Sequence, residues 1–214
     1  MREMLETNDG CELPCWWGIV PGRSEWQAVL NRFIAYGGFA FEIPHPTRSY
    51  DYMLDLSLDH QNGVVQSIHV MSFITPGGKS DHFSQDWHRY SLDQVLTRYG
   101  QPSQVMLKLS PNPPGPYYPY SLFVFYDHLG ILIRYSGSAI PGEPFRICPK
   151  LEEVEHLNLW LQPPGEGPSL LELANLDRAV LAQMLPLEQA TGMDIQTFYE
   201  TFREAEAAVC LESP

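Results

Sequence analysis

Two stretches of this chain repeat one local pattern at one spacing, and that spacing limits the folds open to it. Ser24 is followed at the third position by Gln27, and Ser91 by Gln94. Each pair reads as a capping box, in which two side chains satisfy free N–H groups at a helix start. Apolar residues then recur at helical spacing, through Val29, Leu30, Phe33 and Ile34 after the first cap and Val95, Leu96 and Tyr99 after the second. The first helix stops at Gly37-Gly38, the second at Gly100-Gln101-Pro102. The capping serines lie 67 positions apart (24 to 91), and so do the turn glycines Gly63 and Gly130. Strands are expected at 39–43, 52–58 and 64–73, with Asn62-Gly63 as the tight hairpin turn, and again at 104–109, 120–126 and 131–135. The spacing predicts an α+β fold made of two tandem repeats, each a helix plus an antiparallel three-strand meander. Repeat one covers about 18–75 and repeat two about 89–137, within a region spanning 1–148.

Residues 149–214 read as a different unit, an acidic and mainly helical extension packed on the repeats within one globule. They hold 3 of the 13 basic residues but 12 of the 26 acidic ones. Short strands are expected at 145–148 and 157–161, a helix over 169–184, and a last helix capped by Asp194 and running to about 208.

The net charge of −13 argues against nucleic acid as a partner, because phosphate contacts need clustered Lys and Arg. It argues equally against an anionic membrane surface. No apolar run is long enough to span a bilayer. The acidic start, Met1-Arg2-Glu3-Met4-Leu5-Glu6, does not read as a signal peptide.

Four cysteines, Cys11, Cys15, Cys148 and Cys210, sit at the edges of the patterned region. An even number fits two disulfides and an oxidising, extracytoplasmic compartment, with three connectivities open. A mechanical argument favours Cys148 with Cys210, which would tie the last helix to the repeats and leave Cys11 with Cys15. A four-cysteine zinc site is disfavoured because only one close pair exists.

The stretch Cys11-Glu12-Leu13-Pro14-Cys15-Trp16-Trp17-Gly18-Ile19-Val20-Pro21-Gly22 resembles the opening of an uncharacterised family of bacterial exported proteins and lipoproteins. Tyr99-Gly100-Gln101-Pro102-Ser103, Ile147-Cys148-Pro149 and Cys210 fit the same pattern. The resemblance implies a secreted or lipid-anchored protein, with any signal or anchor segment lying upstream, and carries no activity with it. The repeat, with Gly22-Arg23-Ser24 at its cap and Gly100-Gln101-Pro102 at a helix end, is more loosely similar to small outer-membrane-assembly lipoproteins and to beta-lactamase inhibitory proteins. That likeness implies a protein-binding module.

Two aromatic stretches are candidate recognition residues. Trp16 and Trp17 lie beside cysteines, where indoles either face a partner or pack over the disulfide. Tyr117, Tyr118 and Tyr120 follow a proline-rich run, and rigid aromatics on a stiff loop lose little entropy on binding. The seven histidines show no metal-ligand spacing, and Asp81-His82 and Asp86-Trp87-His88 read as a solvated linker. No phosphate loop, dinucleotide fingerprint or nucleophile elbow occurs. No catalytic residue, metal or cofactor is expected. The leading reading is a non-catalytic exported module that binds a protein partner. The alternative is a secreted hydrolase of polysaccharide or peptide, with carboxylates Asp51, Asp55 and Asp59 sharing one face of a strand.

Overall fold

The computed structural model describes residues 2–35, 52–74, 80–110, 118–165, 169–204 and 209–213. Its centre is a seven-stranded antiparallel sheet. The strands are β1 (Tyr52–Gln61), β2 (Val64–Ile74), β3 (Gln104–Leu109), β4 (Tyr118–Tyr126), β5 (Ile131–Ala139), β7 (Val154–Leu161) and β8 (Leu185–Pro186). Their order across the sheet is β1-β2-β7-β5-β4-β3-β8. A separate pair joins β6 (Phe145–Ile147) to β9 (Leu211–Ser213). Eight helices surround the sheets among the described residues: α1 (Arg2–Thr7), α2 (Trp26–Ala35), α3 (Ser80–Asp86), α4 (Leu92–Tyr99), α5 (Leu170–Leu173), α6 (Arg178–Leu181), α7 (Leu187–Thr191) and α8 (Ile195–Phe202).

Turn chemistry sets the pairing. Asn62 and Gly63 both have positive φ, 53° and 77°, which matches the right-handed twist of the β1–β2 hairpin. At Gly130 φ is 68° and any Cβ would collide with the Gln162 carbonyl. The absence of a side chain there lets Gln162 N–H reach the Gly130 carbonyl at 2.9 Å and seat the end of β7 beside the start of β5.

The inner face of the sheet carries the main core. Ile68 and Val70 of β2, Leu159 of β7, Ile133 of β5 and Val124 of β4 are all buried there. Val29 and Phe33 of α2 and Val95 and Leu96 of α4 pack into the same core. The segment read as a solvated linker is instead helical and apolar inside. Phe83, Trp87 and Tyr90 are fully buried, and Asp86 accepts a hydrogen bond from Tyr52 Oη at 2.6 Å.

The mixed α+β class and the antiparallel pairing agree with the expectation, but the tandem of like units is not confirmed. The strand expected at 39–43 lies outside the described residues. The hairpins β1–β2 and β4–β5 flank β7 in mirrored order, β1-β2-β7-β5-β4. β7, from the segment after 148, lies between β2 and β5 in the middle of the sheet.

Neither sequence-derived capping box forms. The Trp26 N–H at the start of α2 donates to the Gly63 carbonyl at 2.8 Å, while Ser24 Oγ accepts from Val20 N–H. The hairpin turn thus supplies the acceptor the cap would have supplied. Ser91 occupies the N-cap of α4 without a side-chain bond. A complete box closes instead on α5, between Ser169 and Glu172. The helix expected over 169–184 is split into α5 and α6 by Asn175, at φ 45°, and by Asp177, which caps α6. Asp194 caps α8 as expected, accepting from Thr197 N–H at 2.8 Å.

Candidate functional site: the open face of the sheet

Both disulfides are present, Cys11–Cys15 with Cα atoms 5.9 Å apart and Cys148–Cys210 at 4.2 Å, so no cysteine is free. The small ring leads directly into the core. Asn8 is fully buried, donates to the carbonyls of Cys11 and Cys15, and accepts from Trp17 N–H. Trp16 stacks against Trp17 with ring centroids 5.3 Å apart, and it lies 5.2 Å from the Tyr90 ring.

The aromatic residues singled out for recognition are therefore mostly structural. Trp16 and Trp17 are buried, because the loop folds them inward over the sheet. Tyr120 is buried on the inner face, where alternation along β4 directs it with Leu122 and Val124. Tyr118 is half-buried against Phe145, centroids 5.0 Å apart. Tyr117 lies outside the described residues, as do Asp51 and His45. Asp55 and Asp59 do share a face of β1, both exposed. Four residues of strand separate their Cα atoms by about 13 Å.

The chemistry sequence reasoning missed lies on the outer face, which cross-strand register divides into three rows. One runs Asp55, Met71, Asn158, Arg134, Phe123, Met106. The row on one side runs Ser57, His69, Trp160, Leu132, Phe125. The row on the other side runs Met53, Phe73, His156, Ser136, Ser121, Lys108. Helices α5 and α6 cover the apolar end of the first two rows, where Phe123, Phe125, Leu132 and Trp160 form a second core with Leu170 and Met184. Outside that cap no described element covers the face. His156 is exposed, and Met71, Phe73, Arg134 and Lys108 are half-buried.

Arg134 lies over the Trp160 indole at 5.6 Å, and His69 stacks on the same ring at 4.7 Å with an interplanar angle of 6°. His69 Nε2 is 3.2 Å from Asn158 Oδ1. Burial and the Arg134 charge both lower the His69 pKa, against the opposing Asn158 bond and the Asp55 charge. His156, stacked on Phe73 at 5.8 Å, is lowered by the same two causes against Glu155. Burial also lowers the Arg134 pKa. On the open part of this face two buried donors have no hydrogen-bond partner among the described residues, Arg134 Nε and Asn158 Nδ2.

The histidines give a pH dependence with a definite sign. In the unfolded chain they titrate near 6.5, and in the folded chain lower. Below about 6.5 the unfolded chain binds more protons, so their contribution is full above that value and is lost as pH falls through the folded values. The melting temperature falls on acidification from about pH 7.5 to pH 5. In His69→Gln/His156→Gln the fall is shallower; an unchanged slope would place the titration elsewhere.

A cavity of about 370 Å³ lies on the inner side beside the Cys148–Cys210 bond, lined by His88, Ser91, Asp93, Lys150, Glu152 and Thr201 among others. Ser91 Oγ is buried there without a partner, and no hydrogen bond joins it to His88, so the pair is not an assembled nucleophile and base. No group of three or more potential metal ligands occurs among the described residues. No helix among them is long and apolar enough to cross a membrane. No known protein family, curated protein or solved structure matches this chain.

Proposed function

We propose that this protein is a non-catalytic exported module that binds a protein partner through the open outer face of its sheet. The observation that carries the reading is the uncovered end of that face. There an exposed histidine, half-buried aromatic and thioether side chains and an arginine stand together instead of the uniform polar surface of a solvated sheet. Pairing of all four cysteines supports an oxidising compartment. The resemblance of the Cys11–Cys15 opening to exported proteins and lipoproteins supports it too. The reading does not depend on the two helix–meander segments being copies of one unit. It moves the binding surface from the tyrosine-rich loop to β2, β5 and β7.

Photo-crosslinking tests it. Benzoylphenylalanine at position 73 is expected to capture a discrete protein partner in intact cells, and the same group in place of Gln196, exposed on α8, is not. The absence of an adduct at 73, or the same adduct at both positions, overturns the reading. Product release from a polysaccharide or peptide that Asp55→Asn abolishes would favour the hydrolase instead.

A further inference from the structure

We propose that Arg134 is the centre of a carboxylate-binding site on this face, whose occupant is an acidic side chain on an extended segment of the partner. The inference rests on the reading of the outer face as a binding surface and deepens it. Among the described residues no carboxylate pairs with Arg134; its one ring contact is Trp160. A guanidinium in mid-sheet without a counter-charge is costly, because desolvation is offset only when an anion or acceptor meets it. Asn158, its direct cross-strand neighbour, is 1% exposed and has Nδ2 without a partner. Arg134 is half-exposed, so its guanidinium, rather than the solvent-shielded Nε and Asn158 Nδ2, is what a partner's oxygen meets first.

The surroundings extend the site along one direction. Ser136 stands two residues beyond Arg134 on the same face of β5 and shares a 2.8 Å hydrogen bond with Ser121 of β4. Lys108 of β3 pairs with Ser121 in register and has no ion-pair partner among the described residues. Two cations about 12 Å apart, with hydroxyls between them, suit two acidic side chains about four residues apart on one face of an extended peptide. Asp55 on the same row and Glu155, bonded to Ser138 at the edge, place negative charge at the margins. Those margins oppose a dianionic phosphate more strongly than a single carboxylate. The chain's overall charge of −13 works against every extended polyanion, so the attraction is local to Arg134 and Lys108 and fits a carboxylate or two rather than a phosphate backbone or an anionic bilayer.

Octaglutamate titrated into the isotope-labelled full chain at low ionic strength tests the site. Saturable shifts of the Arg134 Nε–H and Asn158 side-chain NH₂ resonances are expected. Arg134→Gln should weaken binding roughly tenfold or more, the worth of one charge-assisted hydrogen bond. Lys108→Gln should weaken it less, and Ser136→Asp, which keeps Arg134, should abolish it. The last variant decides the matter if Arg134→Gln does not fold. Absent shifts, equal affinity in Ser136→Asp, or saturation by inorganic phosphate as tight as by octaglutamate each overturn the proposal. Crosslinking at position 73 that persists alongside such a failure would retire the carboxylate site and leave the binding face standing.

Discussion

Replacing Cys148 and Cys210 together by serine lowers the melting temperature by roughly 10 °C, the consequence of losing about 4 kcal/mol in a chain this long. The bond spans 62 positions, and in the chain-entropy account a closed loop of that size strongly restricts the unfolded ensemble. It also has local work in the folded state. Cys148 directly follows β6 and Cys210 directly precedes β9, so the bond holds the register that sets Ile147 opposite Leu211. Leu211 and Ile147 are both fully buried in the main core. The Cys11→Ser/Cys15→Ser pair, closing a ring of only five residues, costs about half as much in the same account. Thermal melts of both double variants under oxidising conditions check the order. Equal losses would mean that native packing around the N-terminal ring, not loop length, sets the effect.

Trp16→Ala is the second large loss, about 3–5 kcal/mol, as for other fully buried large aromatics. The indole is completely buried and touches three other rings, those of Trp17, Trp87 and Tyr90. Tyr90 is in turn joined to the sheet, its carbonyl accepting from Tyr135 Oη at 3.0 Å. Removing Trp16 opens a cavity among the rings of Trp17, Trp87 and Tyr90. Denaturant unfolding should show a lower midpoint with an unchanged slope. A change below about 1 kcal/mol would mean that the ring is peripheral and would return Trp16 to the list of recognition residues.

The local elements were legible where the signal is local. Alternation around Asn62-Gly63 specifies the β1–β2 hairpin, and 104–109 matches β3 as observed. The place of β7 was not legible, because a short strand a few residues after Cys148 says nothing about partners as distant in sequence as β2. One signal was available. Leu157, Leu159, Trp160 and Leu161 form a nearly continuous apolar run, the mark of a strand covered on both faces.

The outer-face site was hidden for a related reason. Strand alternation assigns polar residues to solvent, and by that rule Arg134 and Asn158 do not stand out. Each is the lone polar residue in an apolar stretch, Ile131-Leu132-Ile133-Arg134-Tyr135 and Leu157-Asn158-Leu159, and that exception was readable. The tryptophans and Tyr120 were misjudged in the opposite sense. Their conspicuousness in sequence reflected the needs of a core beside a disulfide. Asp55 and Asp59 followed the simple rule and face water.

The central position of β7 also decides when the sheet can close. A chain emerging from its N-terminus completes the β1–β2 hairpin and the β3–β4–β5 meander long before residues 154–161 exist. Until then β2 and β5 each present a bare edge, the kind of template on which chains pair with the wrong neighbour. β7 then inserts between them, matching six residue pairs on one side and seven on the other. Closure of the sheet is thus a non-local event that waits on residues 154–161 rather than on any hairpin.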